Sequence, residues 1–153
     1  MKKSIGLIIP ARSASSRFPN KPLALISGKT MIQRVYEQVK KSTALDYVVV
    51  ATDDERIFDV VQAFGCDALM TAEYHQSGTD RCLDAVLQLD QKFDVIVNIQ
   101  GDEPIISPEQ INLILSCFNQ ENTEIATLVK LINDQKTLWD TNKPKVVMDD
   151  DDF

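Results

Sequence analysis

The sequence predicts an α/β fold, a three-layer α/β/α sandwich on a mostly parallel, mixed sheet, and three observations carry that prediction. Apolar runs at 5–9, 47–51, 68–71, 93–99 and 125–132 have strand length, and several are apolar on both faces, as central strands of a parallel sheet are. Segments of helical period lie between them. Turn and cap residues mark the joins, so strand and helix alternate along the chain.

The first strand, 5–9, ends at Pro10 and enters a loop that carries Arg12, Arg17 and Lys21 but no acid before Leu23. Pro10, Pro19 and Pro22 limit how far this loop can wander. Three cations on a restrained loop can be aimed at different groups of a polyphosphate, and charge-assisted bonds to phosphate are worth roughly 1.5–3 kcal/mol each. The alternative is an ordinary basic surface turn. Met31, Ile32, Val35 and Val39 follow at helical spacing and lead to the strand 47–51, which delivers Thr52 and Asp53.

Asp53 and Asp54 can cap the helix that begins near Glu55, a role that competes with nucleotide contact. Ile57, Val60, Val61 and Phe64 give that helix its apolar face, and Gly65 supplies a C-terminal cap. His75, the sole histidine, reads as a surface residue before a turn, because no Ser or Cys nucleophile motif accompanies it. The next helix, with Cys82, Ala85, Val86 and Leu89, is expected to start at Thr79 or Asp80. On a structural reading of the turn, Arg81 pairs with Asp80 or Asp84.

The strand 93–99 delivers Gln100, Gly101, Asp102 and Glu103. Asp102 is the metal candidate, since Mg²⁺ prefers hard oxygen ligands and is commonly held by one or two carboxylates plus substrate phosphates. An acidic turn without a metal is the alternative. Ser107, Pro108 and Gln110 provide a cap, a first-turn proline and a capping-box partner for the helix of Ile111, Ile114, Leu115 and Phe118. Trp139, in a short helical stretch after Asp134, reads as packing, and 145–148 as a further strand. The acidic stretch 149–152 before Phe153 is either a solvated terminus or a cut inside the domain.

Composition narrows the class. The chain of 153 residues is 44% hydrophobic and 25% charged, which suits one domain. Acids outnumber bases 23 to 16, and the net charge of -7 argues against a nucleic-acid surface, whereas a small anionic ligand needs only a local cationic cluster. The apolar stretch after Lys3 is too short for a secretory signal, and no run approaches a membrane span, so a cytoplasmic protein is expected. Cys66, Cys82 and Cys117 have neither metal nor redox spacing and read as small buried side chains.

Four strings taken together resemble the 3-deoxy-manno-octulosonate (Kdo) cytidylyltransferases, or CMP-Kdo synthetases: Pro10-Ala11-Arg12 with Arg17 and Lys21-Pro22-Leu23, VATDDERI from Val50, SGTDR from Ser77, and VNIQGDEP from Val97. The resemblance runs from Ile5 to about Asp149 and implies a nucleotide-diphospho-sugar transferase-like fold. It implies that CTP and Kdo give CMP-Kdo and pyrophosphate. By that resemblance Pro10, Ala11, Arg12, Ser13, Arg17, Lys21, Thr52, Asp53, Ser77, Gly78, Arg81 and Gln100 bind CTP, with the SGTDR turn and Gln100 on the cytosine. Arg12, Arg17 and Lys21 would act catalytically on the triphosphate, and Asp102 would hold Mg²⁺.

The resemblance further implies a homodimer in the complete protein, serving lipopolysaccharide biosynthesis, and a C-terminal part beyond Phe153 with much of the sugar-acid site and a second metal aspartate. A cytidylyltransferase for sialic acid or another acidic sugar, and a nucleotide-binding module without catalysis, are the rival readings. All four strings fall where an open α/β sheet binds ligands, past the carboxyl ends of its strands.

Overall fold

Ile5–Ala11 forms β1, with every residue from Gly6 onward buried, because its alternate side chains enter cores on both faces of the sheet. The computed structural model describes residues 3–13 and 18–148. After β1 come a short 3₁₀ turn (Lys21–Leu23), a two-stranded antiparallel ribbon of β2 (Leu25–Ile26) and β3 (Lys29–Thr30), and α1 (Met31–Val39). Then follow β4 (Tyr47–Thr52), α2 (Glu55–Ala63), β5 (Asp67–Met70), α3 (Gly78–Gln88), β6 (Val95–Asn98), α4 (Pro108–Cys117) and α5 (Gln135–Trp139).

The main sheet has the order β5-β4-β1-β6, and all its pairings are parallel. The expected mixed sheet is therefore wholly parallel among the described residues. Leu7, Ile9 and Val50 point to the face covered by α1, α2 and α4, through Ile32, Val35, Ile57, Val61 and Ile111. Ile8, Val49 and Ala51 point to the other face, which Cys82 and Ala85 of α3 cover. Three layers result. Ile32, Val35 and Val39 of α1 are completely buried, each worth roughly 1.5–3 kcal/mol against exposure.

Local signals placed most helix ends. Thr30 caps α1 by accepting from Gln33 N, Asp54 caps α2, and Gly65 follows α2 at φ 82°, a conformation costly for any residue with a Cβ. Ser107 caps α4 in a reciprocal box with Gln110, and Pro108 stands in the first turn. Ser107→Ala is expected to cost about 1 kcal/mol, a drop of roughly 2–4 °C in Tm by thermal denaturation. An unchanged Tm would mean that the cap adds nothing here.

Four expectations need correction. Helix α3 starts at Gly78 rather than Thr79 or Asp80, because Ser77 is the cap and Asp80 its box partner. Residues 125–132 and 145–148 are not strands. Their apolar side chains promised burial, yet a strand also needs a partner edge; Ile125, Leu131 and Val147 are exposed, and no described strand pairs with either segment. Cys66 and Cys82 are buried, but Cys117 is exposed at the end of α4. No helix among the described residues is long and apolar enough to cross a membrane.

Candidate active site

The carboxyl ends of β1 and β6 open into two adjoining hollows, of about 130 Å³ and 180 Å³, that share Pro10, Ala11, Arg12 and Gln100. Joined, they reach the lower end of the roughly 300–1,000 Å³ range of small-molecule sites. The smaller hollow is completed by the start of α3, with His75, Gln76, Ser77, Gly78 and Arg81. Lys21, Pro22, Gly101 and Asp102 complete the larger one. Lys21 and the Asp102 carboxylate thus lie at one end, His75, Gln76, Ser77 and Arg81 at the other, and Arg12 and Gln100 between them.

Close backbone approach makes this groove possible. A Cβ on Gly101 would stand 2.9 Å from the Pro10 carbonyl oxygen and 3.3 Å from Ile32 Cδ1, so only glycine lets the turn after β6 lie against the end of β1. Gly78 brings the first turn of α3 against Gln100 and Pro10. Gln100 Nε2 donates to Asn98 Oδ1 at 3.1 Å, which ties the shared wall back to β6.

Lys21 Nζ donates to Asp102 Oδ2 at 2.6 Å. The two side chains are 34% and 47% exposed, and pairs so open to water contribute about 0–1 kcal/mol. A triphosphate can therefore draw Lys21 from the carboxylate at small cost. The Asp102 oxygens suit Mg²⁺, which is satisfied with one or two carboxylates when phosphates supply the rest. Among the described residues no group of three or more His, Cys, Asp or Glu could hold a metal ion, so any such site would take its further oxygens from phosphate, water or residues outside those described.

The other candidates are more dispersed. Thr52 is fully buried, its hydroxyl accepting from Asp54 N, and neither Thr52 nor Asp53 lines the described walls. Ser13 anchors the loop through its carbonyl to Asn20 N and its hydroxyl to Asp54. Arg56 first, and Ser13 in addition, hold the Asp54 carboxyl well below the usual carboxylate range, so Asp54 is a cap and loop tether. Arg17 lies outside the described residues.

Arg81 differs from both expectations for its pairing. It is 2% exposed and bonds Asp53 Oδ2 at 2.5 Å through one guanidinium nitrogen, Thr71 Oγ1 through another. Asp80 serves the Ser77 capping box and Asp84 serves His75, so neither is its partner. Arg81 thus clamps the ends of β4 and β5 to α3 while one edge reaches the smaller hollow. Asp53 Oδ1 is buried without a hydrogen-bond partner in the described structure, which leaves its charge dependent on Arg81.

His75 was expected at the surface, yet its side chain is only 10% exposed and lines the smaller hollow. Its Nε2 lies 2.7 Å from Asp84 Oδ2. Nothing in the local spacing signalled this pair, since the two residues sit on a loop and on α3. His75 first, then Ala72 N and Gln88, hold the Asp84 carboxyl down to about 2. A depressed acid stabilises the fold fully above its unfolded value, near 4, and the contribution disappears as the pH falls through about 2. The Tm difference between the native chain and Asp84→Asn should therefore be greatest above pH 4 and narrow towards pH 2; a constant difference would refute the linkage. Burial pushes Cys66 up to about 12 and Cys82 up to about 11, so neither is a thiolate nucleophile at neutral pH.

A family model described as cytidylyltransferase matches residues 7–153. The chain belongs to the cytidylyltransferase family. This cytidylyltransferase chain is 57% identical over 152 residues to the 3-deoxy-manno-octulosonate cytidylyltransferase of Parabacteroides distasonis, covering 97% of itself and 59% of that protein. It is 48% identical over 143 residues to the mitochondrial 3-deoxy-manno-octulosonate cytidylyltransferase of Arabidopsis thaliana, covering 93% of itself and 49% of that protein.

Among solved structures, CMP:2-keto-3-deoxy-manno-octonic acid synthetase complexed with CTP aligns with TM-score 0.73 and 43% identity, over 77% of this chain and 48% of that one. The cytidylyltransferase of Leptospira borgpetersenii aligns with TM-score 0.65 and 27% identity, over 78% and 51%. The chain thus spans about half to three-fifths of the length of these relatives.

Proposed function

We propose that this chain binds CTP in the groove at the ends of β1 and β6 and forms the nucleotide half of a cytidylyltransferase acting on 3-deoxy-manno-octulosonate. One observation carries the reading: Arg12, Lys21 and Asp102 line the larger hollow, while the smaller one, joined to it through Gln100, offers Ser77 and Gly78. That arrangement suits a nucleoside triphosphate, with anionic phosphates at one end and a hydrogen-bonding base at the other. The similar protein named as a complex with CTP supports the choice of nucleotide, and the named relatives support the choice of sugar acid.

The reaction would join the anomeric oxygen of the sugar acid to the α-phosphorus of CTP, releasing the hydroxyl proton to water, and break the bond from that phosphorus to the oxygen bridging the α- and β-phosphates, giving CMP-sugar and pyrophosphate. Arg12 and Lys21 would hold the phosphates and stabilise the charge that builds on the departing pyrophosphate. Mg²⁺, when held by Asp102 and phosphate oxygens, supplies charge neutralisation at the phosphates. The Pro10 and Gly101 backbones keep these groups at fixed separation.

Calorimetric titration with CTP, UTP, ATP and GTP, each with and without Mg²⁺, tests the reading. Tightest binding of CTP, improved by Mg²⁺ in the native chain and not in Asp102→Asn, is expected. Equal affinity for all four nucleotides by a folded chain would reject it.

A further inference from the structure

We propose that His75, oriented by Asp84, selects cytosine over uracil in the smaller hollow; the proposal rests on the CTP reading above and deepens it. Asp84 is fully engaged: Oδ2 accepts from Ala72 N at 3.0 Å as well as facing His75, and Oδ1 accepts from Gln88 Nε2 at 3.0 Å. A carboxylate so bonded cannot turn away, and as an ionised group it can only accept. The imidazole proton therefore sits on Nε2, and in the neutral ring Nδ1 is an acceptor. Nδ1 has no hydrogen-bond partner among the described residues, and His75 is one of the residues that line the hollow.

Cytosine and uracil differ at the ring edge in sign. Cytosine presents an exocyclic amine that donates; uracil presents a carbonyl oxygen there and only accepts. A fixed acceptor in the wall favours the amine and sets lone pair against lone pair for the carbonyl, which is discrimination by repulsion as well as attraction. The other side chains of the wall differ. Gln100 is tied through Nε2 to Asn98 Oδ1, but both are amides and the pair can reverse; Gln76 is turned to the Tyr74 carbonyl; the Ser77 hydroxyl is bonded to Asp80; and Arg12 and Arg81 only donate. His75 is the wall side chain whose acceptor is set by a carboxylate, which cannot reverse.

The test compares CTP and UTP dissociation constants for the native chain, His75→Phe and Asp84→Ala. Asp84 does not line either hollow, but removing its carboxylate leaves nothing to hold the imidazole proton on Nε2, so Nδ1 can donate as well as accept. The CTP preference is expected to fall about tenfold in His75→Phe, the loss of one hydrogen bond, and severalfold in Asp84→Ala. An unchanged ratio in folded His75→Phe would overturn the inference and leave CTP binding standing. Should His75→Phe fail to fold, an unchanged ratio in Asp84→Ala overturns it equally. A native chain that binds UTP as tightly as CTP would instead remove the CTP reading itself, and the inference with it.

Discussion

Arg81→Ala is expected to lower the stability of the chain by about 3–5 kcal/mol, because it leaves the Asp53 carboxylate buried without its counter-charge. Asp53 and Arg81 are 11% and 2% exposed, and Asp53 Oδ1 already lacks a partner among the described residues. At about 2–4 °C per kcal/mol, the Tm should fall by roughly 10 °C. Arg81→Lys should recover part of the loss by keeping a charge beside Asp53, though one ammonium cannot serve both Asp53 and Thr71 in the guanidinium's fork geometry. Calorimetry and CTP titration together separate two roles. An unchanged Tm with lost CTP affinity would show that Arg81 acts on the ligand and not as the clamp described above.

Lys21→Ala should give the opposite pattern. Its partner Asp102 is nearly half exposed, so removing the pair should move Tm by only about 1 kcal/mol equivalent or less. Affinity for a nucleoside triphosphate should fall by roughly 10- to 150-fold, the loss of one charge-assisted contact. CMP carries a single phosphate and should be affected less than CTP. Equal weakening of both would mean that Lys21 supports the groove and not the outer phosphates.

The contrast between Arg81 and Lys21 shows which parts of this molecule were legible in its sequence. Lys21 belongs to a run whose proline spacing and charge are local, and its place in the groove followed from the strand before it. The caps at Asp54, Gly65 and Ser107 were equally readable, since each satisfies backbone groups a few residues away. Arg81 could not be read in the same way: its partners Asp53 and Thr71 come from the ends of two other strands. For the same reason His75 looked like a surface residue. The strands expected at 125–132 and 145–148 failed on a related point, because apolar composition reports a wish for burial but not the presence of an edge to pair with.

The central place of β1 bears on the order in which the chain becomes functional. Gly6 pairs with Tyr47 and Leu7 with Val97, so β1 has no sheet neighbour until β4 and β6 have followed it. Closing such long loops must precede any reward from pairing, which makes the sheet slow to nucleate. The loop at Arg12 and the turn at Gly101 then meet only when β6 docks. A nucleotide bound in the groove would accordingly recognise the assembled sheet and not its fragments, and its binding energy would hold the ends of β1 and β6 together against unfolding.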